Sequence, residues 1–237
     1  MISVDKTGKL KVHTTKAASA VITASYGPVV QNVTVTVADG RFWYSLGNGL
    51  GNGLDNNWYL DGNNASVVSS DGNKTTVQMG SGYRGDLWLA RSGKGKIVNV
   101  TPADYRYFAI KVGFKSQLVP GKNKPNGCIK LEIFDDGIKK IGPEYFGTGG
   151  DANNRYEILG ASEISTTEPN VLYYDLQSKY KTVTPTDWNQ VFDLSQCKFV
   201  IADFPETAQT YDLYWIRSFK SIEELQAFVD SENNTNE

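Results

Sequence analysis

The sequence predicts an all-β protein, and three features of the chain support that class. Its 237 residues include 5 Trp, 13 Tyr and 10 Phe, the large side chains that strands favour. They also include 23 Gly, often in Asn-Gly and Asp-Gly pairs that are typical of tight turns. Beyond Trp58, alternating apolar segments recur between turn signals at intervals of about 10 residues, a spacing typical of a β-sandwich or jelly roll.

The N-terminal region, residues 1–38, contains three short segments with strand alternation. A turn at Asp5–Gly8 leads into LKV, and the segments AVITA and QNVTVTV follow. VDKTGKLKV, AVITA and QNVTVTV together resemble the second half of a bacterial immunoglobulin-like domain of group 2, a small sandwich of bacterial surface proteins. The resemblance implies a partial Ig-like module and an extracellular setting.

Residues 39–57 are predicted to be a linker between two domains. The segment begins at Asp39-Gly40 and ends in the Gly- and Asn-rich run GNGLGNGLDNN, where strand alternation stops. These glycines lack the Lys-Ser/Thr and the strand-to-helix pattern of a phosphate loop. The aromatic cluster Phe42 to Tyr44 is expected to pack between the two domains, with an exposed, ligand-binding aromatic strip as the alternative.

The large domain is predicted at residues 58–230, with a polar tail at 231–237. Turn signals at 61–63, 71–73, 80–82 and 93–95 separate its first strands. The apolar segments that follow predict strands at 77–79, 87–90, 107–114, 128–134, 156–159 and 172–176. The segment TPTDWNQVFDLSQ, capped by Thr186 or Asp187, is a candidate for one short helix.

The last part of the domain, Cys197–Phe219, is the most strongly patterned segment of the chain. It is expected to form two central strands, because both faces are apolar, with Pro205 in the connection between them. The alternation puts Leu213 and Trp215 on one face and Tyr214 and Ile216 on the other.

A short closing helix is predicted after these strands. Ser221 and Glu224 form a Ser-x-x-Glu capping box. The side chains expected on its apolar face are Ile222, Leu225, Phe228 and Val229.

Several segments of the large domain are similar to those of a known family. WYLDGNNASV, RGDLWL, YFAIKVGF, IKLEIFDDG and YDLYWIRSFKSIEELQAF resemble a jelly-roll domain of Bacteroidetes surface lipoproteins encoded with polysaccharide-utilisation systems. The resemblance covers residues 55–230. It implies a galactose-binding-like jelly-roll β-sandwich, similar to carbohydrate-binding modules, within a larger surface protein.

Charge and cysteine content exclude several function classes. The chain has 24 Lys and Arg against 26 Asp and Glu, a net charge of -2, and no basic block, so nucleic acid and anionic membranes are not expected partners. No run approaches the roughly 20 apolar residues of a membrane span. Cys128 and Cys197 both occupy apolar strand patterns and are expected to be buried and reduced.

Catalytic and metal chemistry finds little support in the residue types. The single histidine, His13, lies outside the large domain, which argues against a catalytic triad there and against zinc. No signature selects a carboxylate pair for glycoside hydrolysis. Asp135, Asp136 and Asp151 lie in oxygen-rich segments that are candidates for a structural calcium ion, with ordinary Asx turns as the alternative. No other cofactor is expected.

Sugar recognition is the remaining candidate, because sugars dock their C–H faces on aromatic rings and their hydroxyls on polar planar groups. In YRGDLWLAR, inward Leu87 and Leu89 would turn Trp88 outward, beside Arg84 and Asp86. The alternative is that Trp88 is buried beneath another segment. The further candidate rings are Tyr83, Tyr145, Tyr156 and Trp188.

The sequence therefore predicts a monomeric, non-catalytic carbohydrate-binding protein at the bacterial cell surface, either an outer-membrane lipoprotein or a secreted protein. Its expected partners are a glycan and other proteins or domains of a glycan-utilisation system. A structural or protein-interaction spacer is the first alternative. A glycosidase or lyase is the second.

Overall fold

The computed structural model describes residues 2–12, 18–37, 41–52, 56–61, 65–79, 84–91, 94–95, 98–115, 128–135, 146–147, 156–177, 192–202 and 210–234. These residues form strands and a single helix, as the sequence predicts for an all-β protein. Within these ranges, no helix has the length and hydropathy needed to cross a membrane.

The N-terminal region forms two antiparallel hairpins. The first joins β1 (Ile2–Val4) to β2 (Leu10–Val12), and the second joins β3 (Ala18–Tyr26) to β4 (Val29–Val37). The alternation of the second hairpin is as predicted, since Ile22 pairs with Val33 and Ala20 with Val35. Membership of an Ig-like module stays a prediction.

The rest of the chain forms two seven-stranded sheets. Sheet I contains β6 (Tyr59–Asp61), β9 (Arg84–Arg91), β10 (Lys94–Gly95), β11 (Val98–Val100), β13 (Cys128–Asp135), β14 (Phe146–Gly147) and β17 (Phe192–Ala202). Sheet II contains β5 (Trp43–Ser45), β7 (Ser66–Ser70), β8 (Thr75–Gln78), β12 (Tyr107–Phe114), β15 (Glu157–Ile158), β16 (Asn170–Asp175) and β18 (Thr210–Phe219). The helix α1 spans Ile222–Asn234.

The strand order is that of a jelly roll. Sheet I runs β9-β17-β13-β14 and sheet II runs β8-β18-β12-β16, with antiparallel pairing throughout. Successive strands therefore cross between the sheets and fold back as two Greek keys. As predicted for the segment Cys197–Phe219, β17 and β18 each lie between two neighbours.

The core between the sheets is built on aromatic side chains. The ring of Phe199 on β17 lies 5.7 Å from Phe108, 5.8 Å from Trp58 and 5.9 Å from Tyr174, measured between ring centroids. All four rings are buried, and Phe199 thereby links the two sheets. Phe108, Ile110 and Val112 face this core, as the alternation of β12 predicts.

The predicted linker is wrong for the described residues of its first part. β5 pairs with β18, with Trp43 opposite Arg217, and the side chains of Phe42 and Leu46 are buried in the core. Turn-rich composition predicts an exposed connection. The two apolar side chains instead anchor the segment to the sandwich, because their burial removes large apolar surfaces from water.

A β-bulge on β18 overturns the predicted faces of its residues. Lys111 on β12 pairs with Trp215, whereas the next residue, Val112, pairs with Leu213. Tyr214 is therefore the extra residue, and Trp215 and Leu213 lie on opposite faces of sheet II rather than together. The bulge places two consecutive aromatic side chains, Tyr214 and Trp215, on the outer face.

Helix α1 packs on that outer face. Its predicted apolar side supplies buried Leu225 and partly buried Phe228 and Val229, which contact Trp215 and Phe219. The Ser221 half of the predicted capping box forms, whereas the Glu224 side chain reaches the residue before the cap rather than Ser221 itself. Glu224 N donates to Ser221 Oγ at 3.2 Å, while a carboxylate oxygen of Glu224 accepts from Lys220 N at 2.7 Å.

The described part of the predicted short helix is a strand instead. Residues 192–196 of the candidate helix segment belong to β17, whose pairing with β11 and β13 leaves them extended.

Cys197 is a buried, free thiol, as predicted, and burial raises its pKa. It pairs across the sheet with Ile133, whereas Cys128 pairs with Ala202, five residues further along. At ~3.3 Å per residue that offset exceeds the reach of a disulfide.

Candidate ligand-binding site

A cleft opens between helix α1 and the outer face of sheet II. Its volume is about 490 Å³, a size that suits a small-molecule ligand or a sugar unit. Its floor comes from three adjacent strands, with Val171 on β16, Lys111 on β12 and Tyr214 on β18. The helix contributes Val229 and Asn233 to one wall, so two apolar side chains, Val171 and Val229, line the cleft together with polar ones.

The turn between β7 and β8 supplies the rim residue Asn73. The Asp71 carboxylate accepts hydrogen bonds from the backbone N–H groups of Asn73 at 2.9 Å and Lys74 at 2.8 Å. These bonds lower the pKa of Asp71. Gly72 has a φ of 90°, which favours glycine, and its N–H donates to the carbonyl of Gly47. The turn is thus held from both sides, which fixes where Asn73 projects.

A second rim segment, the loop before β16, supplies Glu168 and Pro169. The buried side chain of Asn170 accepts from Ser165 N at 2.7 Å and donates to Ser165 O at 2.9 Å. Ser165 Oγ in turn accepts from the backbone N–H of Glu168 at 3.0 Å. This network holds the backbone of Glu168 in place before any ligand arrives, which lowers the ordering cost of binding.

Four polar side chains of the cleft have no hydrogen-bond partner within the described ranges. They are the amides of Asn73 and Asn233, the carboxylate of Glu168 and the hydroxyl of Tyr214. Asn73, Glu168 and Asn233 are exposed and Tyr214 is partly buried, so all four groups are accessible to a ligand from solvent. Four unpaired groups around one concave surface offer both donors and acceptors to a polar ligand.

The floor carries a positive charge beside an aromatic ring. Lys111 Nζ lies 5.5 Å from the centroid of the Tyr214 ring and 3.0 Å from Glu232 Oε2. Burial raises the pKa of the Tyr214 hydroxyl, so this group stays protonated at neutral pH and is available as a donor. The bulge that turns Tyr214 outward is therefore the feature that gives the cleft its ring.

The charges in and around the cleft are balanced in sign. Lys111 and Glu168 are the two charged side chains that line it. Nearby, Lys74 pairs with Asp212 at 2.8 Å, and Glu232 pairs with both Lys111 and Arg217. A neutral polyhydroxyl compound fits this balance better than a charged ligand does.

The predicted site around Trp88 lies on the outer face of sheet I. Leu87 and Leu89 point into the core, as the alternation predicts, and Trp88 points the other way. Its side chain is nevertheless only 7% exposed, which agrees with the alternative prediction that Trp88 is buried. Lys198 Nζ lies 4.5 Å from the Trp88 ring centroid and 3.0 Å from Asp86 Oδ2. The ring and the carboxylate thus contact a protein cation rather than forming an open platform.

The other predicted site residues are mostly outside the described part of the chain. Those residues are Tyr83, Tyr145, Trp188, Asp136 and Asp151. The side chains of Arg84 and Asp135 are likewise not described, although both residues lie in strands. Tyr156 is half-buried, packs against the core and lies 6.4 Å from Tyr174 between ring centroids. The described ranges contain no group of three or more metal-binding side chains.

Sequence reasoning missed the cleft residues for identifiable reasons. Asn73 lies in a recognised turn signal, but nothing local shows that this turn faces β18. Strict alternation predicts that Tyr214 shares a face with Ile216, and the bulge in β18 breaks that alternation. Lys111, Glu168 and Asn233 are polar residues 57 and 65 positions apart along the chain, and only the pairing of β12 with β16 and the docking of α1 bring them together.

The fold and the cleft define a jelly-roll β-sandwich with a polar, aromatic-floored cleft beneath its C-terminal helix. Residues 49–225 match the model of a family described as a domain of unknown function, DUF4979, and the chain belongs to that family. No curated protein and no solved structure matches the chain. The matched range begins in the loop after β5 and ends inside α1, so it includes every strand of the two sheets except β5.

Proposed function

We propose that the protein binds a carbohydrate, without catalysis, in the cleft between α1 and sheet II. The observation that carries this proposal is the combination, around one concave surface, of the Tyr214 side chain with three other polar side chains that have no hydrogen-bond partner among the described residues. A pyranose presents an apolar C–H face and several hydroxyls, and it needs both kinds of contact in the same place.

A neutral sugar is the ligand class that the charges favour. The carboxylate of Glu168 accepts hydrogen bonds from hydroxyls, and the amides of Asn73 and Asn233 donate and accept them. One ring and a few hydrogen bonds bury little surface, so the expected dissociation constant is on the order of micromolar to millimolar.

A bacterial cell-surface location, within a glycan-utilisation system, completes the proposal. It rests on the resemblance of RGDLWL, YFAIKVGF and YDLYWIRSF to surface-lipoprotein jelly rolls, and on the Ig-like pattern of residues 1–38. Secreted and lipid-anchored forms are both compatible with it.

Affinity electrophoresis tests the proposal. The parent chain would be run in native gels that contain soluble xylan, mixed-linkage β-glucan, galactomannan or starch, and at least one of them should retard it. Tyr214→Ala should abolish the retardation, and Asn73→Ala should weaken it. Tyr26→Ala removes a ring that is 89% exposed on β3 and should leave it unchanged. The proposal would be contradicted if no neutral polysaccharide retards the parent. It would also be contradicted if Tyr26→Ala loses as much retardation as Tyr214→Ala does.

A protein-interaction role is the second candidate, and one observation favours it. The hairpin β3–β4 exposes large apolar side chains to solvent, namely Val21, Tyr26, Val29, Val30 and Val33. Exposed apolar clusters often mark protein contacts. A chain that binds no glycan but associates through this hairpin, as measured by light scattering before and after Val33→Ser, would support the second function instead.

A further inference from the structure

The outer face of sheet II continues beyond the cleft along β16. Val171 lies in the cleft floor, and Leu172 is buried in the core between the sheets. Tyr173 is therefore the next residue of β16 on the outer face, ~6.6 Å along the strand from Val171. That step is close to the length of one sugar unit in a polysaccharide chain, so a chain that starts in the cleft can reach Tyr173.

Helix α1 follows this face beside the cleft and beyond it. Glu232, near the end of the helix, pairs with Lys111 on β12, and Leu225, near its start, belongs to the same apolar cluster as Phe219 on β18. Phe219 lies opposite Tyr107 on β12, four residues before Lys111. The helix thus runs along β12 from the level of Lys111 to that of Tyr107, and it forms one side of a groove whose floor includes β16.

The Tyr173 side chain lies beside an exposed carboxylate. Glu157 on β15 is directly opposite Tyr173, so the two side chains share one face of the sheet. Glu157 is exposed and Tyr173 is half-buried. Burial, and then the charge of Glu157, raise the pKa of Tyr173, so its hydroxyl is protonated at neutral pH and can donate a hydrogen bond.

A second tyrosine supports the Tyr173 ring. The centroid of the Tyr107 ring lies 6.1 Å from that of Tyr173, and the two ring planes meet at 77°. This edge-to-face contact is a favourable arrangement for two aromatic rings. Both rings also pack against the apolar cluster beneath α1. The position of the Tyr173 ring is therefore fixed before a ligand arrives, which lowers the ordering cost of binding.

An ion pair without net charge lies at the far end of the groove. Asp175, opposite Tyr107 on β16, accepts hydrogen bonds from Arg106 Nε at 2.7 Å and Arg106 Nη2 at 2.6 Å. The same carboxylate accepts from the backbone N–H of Gln177 at 2.9 Å. A two-point pair of this kind has a fixed geometry, and its opposite charges suit a neutral ligand, as do the balanced charges of the cleft.

We infer that the groove binds a second sugar unit of the same glycan at Tyr173, so that the ligand is a chain of at least two units. We call the surface formed by Tyr107, Glu157 and Tyr173 the Tyr173 subsite. Its ring offers a C–H face a stacking partner, while the Glu157 carboxylate accepts from sugar hydroxyls and the Tyr173 hydroxyl donates to them. A second unit on the same chain binds at a high effective concentration, so affinity rises with chain length.

This inference rests on the proposed function, because the first sugar unit lies in the cleft. The two can fail separately, since Tyr214 lies in the cleft and Tyr173 lies outside it. Tyr214→Ala should weaken the binding of chains of every length. Tyr173→Ala should weaken only the binding of chains long enough to reach the Tyr173 subsite.

The test is a series of NMR titrations with xylo-, cello-, manno- and malto-oligosaccharides of one to six units. For at least one series, the dissociation constant of the parent should fall at least about fivefold between one unit and four, and change little beyond that. Tyr173→Ala should weaken the binding of four units about fivefold to tenfold and leave that of one unit unchanged. Tyr173→Phe keeps the ring and should keep most of the affinity.

The dependence on chain length separates a binding role from a structural one. A variant that merely distorts the fold weakens short and long chains alike, and Tyr26→Ala, at an exposed ring on β3, should change neither. Equal affinity of the parent for one and four units would overturn the inference, as would a loss in Tyr173→Ala that is the same at every length or absent. Each of these results leaves the proposed function standing if Tyr214→Ala still abolishes binding. A parent that binds no oligosaccharide would overturn both.

Discussion

Lys111 on β12 and Glu232 on α1 form an ion pair, with 3.0 Å between Nζ and Oε2. The same carboxylate oxygen accepts a hydrogen bond from Trp215 Nε1 at 3.0 Å. Glu232 therefore fixes the C-terminal half of the helix to the outer face of sheet II. Asn233, the next residue, lines the cleft, so this contact also sets the position of one cleft wall.

Replacing Glu232 should loosen the helix. Glu232→Gln removes the acceptor charge from two hydrogen bonds in a largely covered site, and we expect a loss of about 1 to 3 kcal/mol in the free energy of unfolding. Urea denaturation measures the loss. Asp230→Asn removes a negative charge from an exposed position of the same helix and serves as the control, with an expected change below about 0.5 kcal/mol. Equal effects in the two variants would contradict the anchoring role.

Leu46 tests whether the segment before residue 57 belongs to the sandwich. Its side chain is fully buried in the core, so Leu46→Ala should cost about 2 to 5 kcal/mol. Leu10 on β2 is 45% exposed, and Leu10→Ala should cost far less. Thermal unfolding of the two variants compares them directly. If Leu46→Ala destabilises the protein as little as Leu10→Ala does, the result would support the prediction that residues 39–57 are a linker.

Asp212 predicts a dependence of stability on pH. Burial alone would raise the pKa of this carboxyl, but hydrogen bonds from Lys74 at 2.8 Å and Thr76 at 2.6 Å lower it below its ordinary 3.8. A lowered pKa in the folded state means that the stabilisation is present above about pH 4 and is lost as the pH falls through the folded pKa.

Comparing the parent with Asp212→Asn isolates the contribution of the Asp212 charge to the free energy of unfolding. A protonated aspartate resembles asparagine, so the parent should exceed the variant in stability at pH 7 and the difference should shrink between about pH 5 and pH 2. Denaturation midpoints at several pH values give the curve. A difference that stays constant down to pH 2 would show that the charge of Asp212 is not the cause.

The sequence predicts the fold well because its signals are local. Turn residues, two-residue alternation and the Ser221 capping box each act within a few positions, and the strands and α1 form where these signals lie. The bulge at Tyr214 and the burial of Phe42 depend instead on partners that are distant in the chain. Strand periodicity carries no information about either, which explains why the predicted faces of β18 and the predicted linker are wrong. The cleft has no local signal in the sequence for the same reason.

The substitution Trp88→Ala tests whether Trp88 on sheet I has a structural role or a binding role. With 7% of its surface exposed, Trp88→Ala should cost about 3 to 5 kcal/mol and lower the melting temperature by roughly 10 °C. Trp43→Ala, at a ring that is 40% exposed, should lower it by less. If Trp88→Ala leaves the melting temperature unchanged but abolishes glycan binding, the result would support the predicted sugar-binding role of Trp88.

The most direct measurement of the central claim is an NMR titration of the ¹⁵N-labelled chain with oligosaccharides of the neutral polysaccharide that retards it. The side-chain amide signals of Asn73 and Asn233, assigned by Asn→Asp substitution at each, should shift progressively and saturate with one dissociation constant. The backbone signals of Tyr214 and Glu168 should follow with the same constant. Signals of these four residues that stay fixed, while those around Trp88 or in the β3–β4 hairpin move, would contradict a glycan site beneath helix α1.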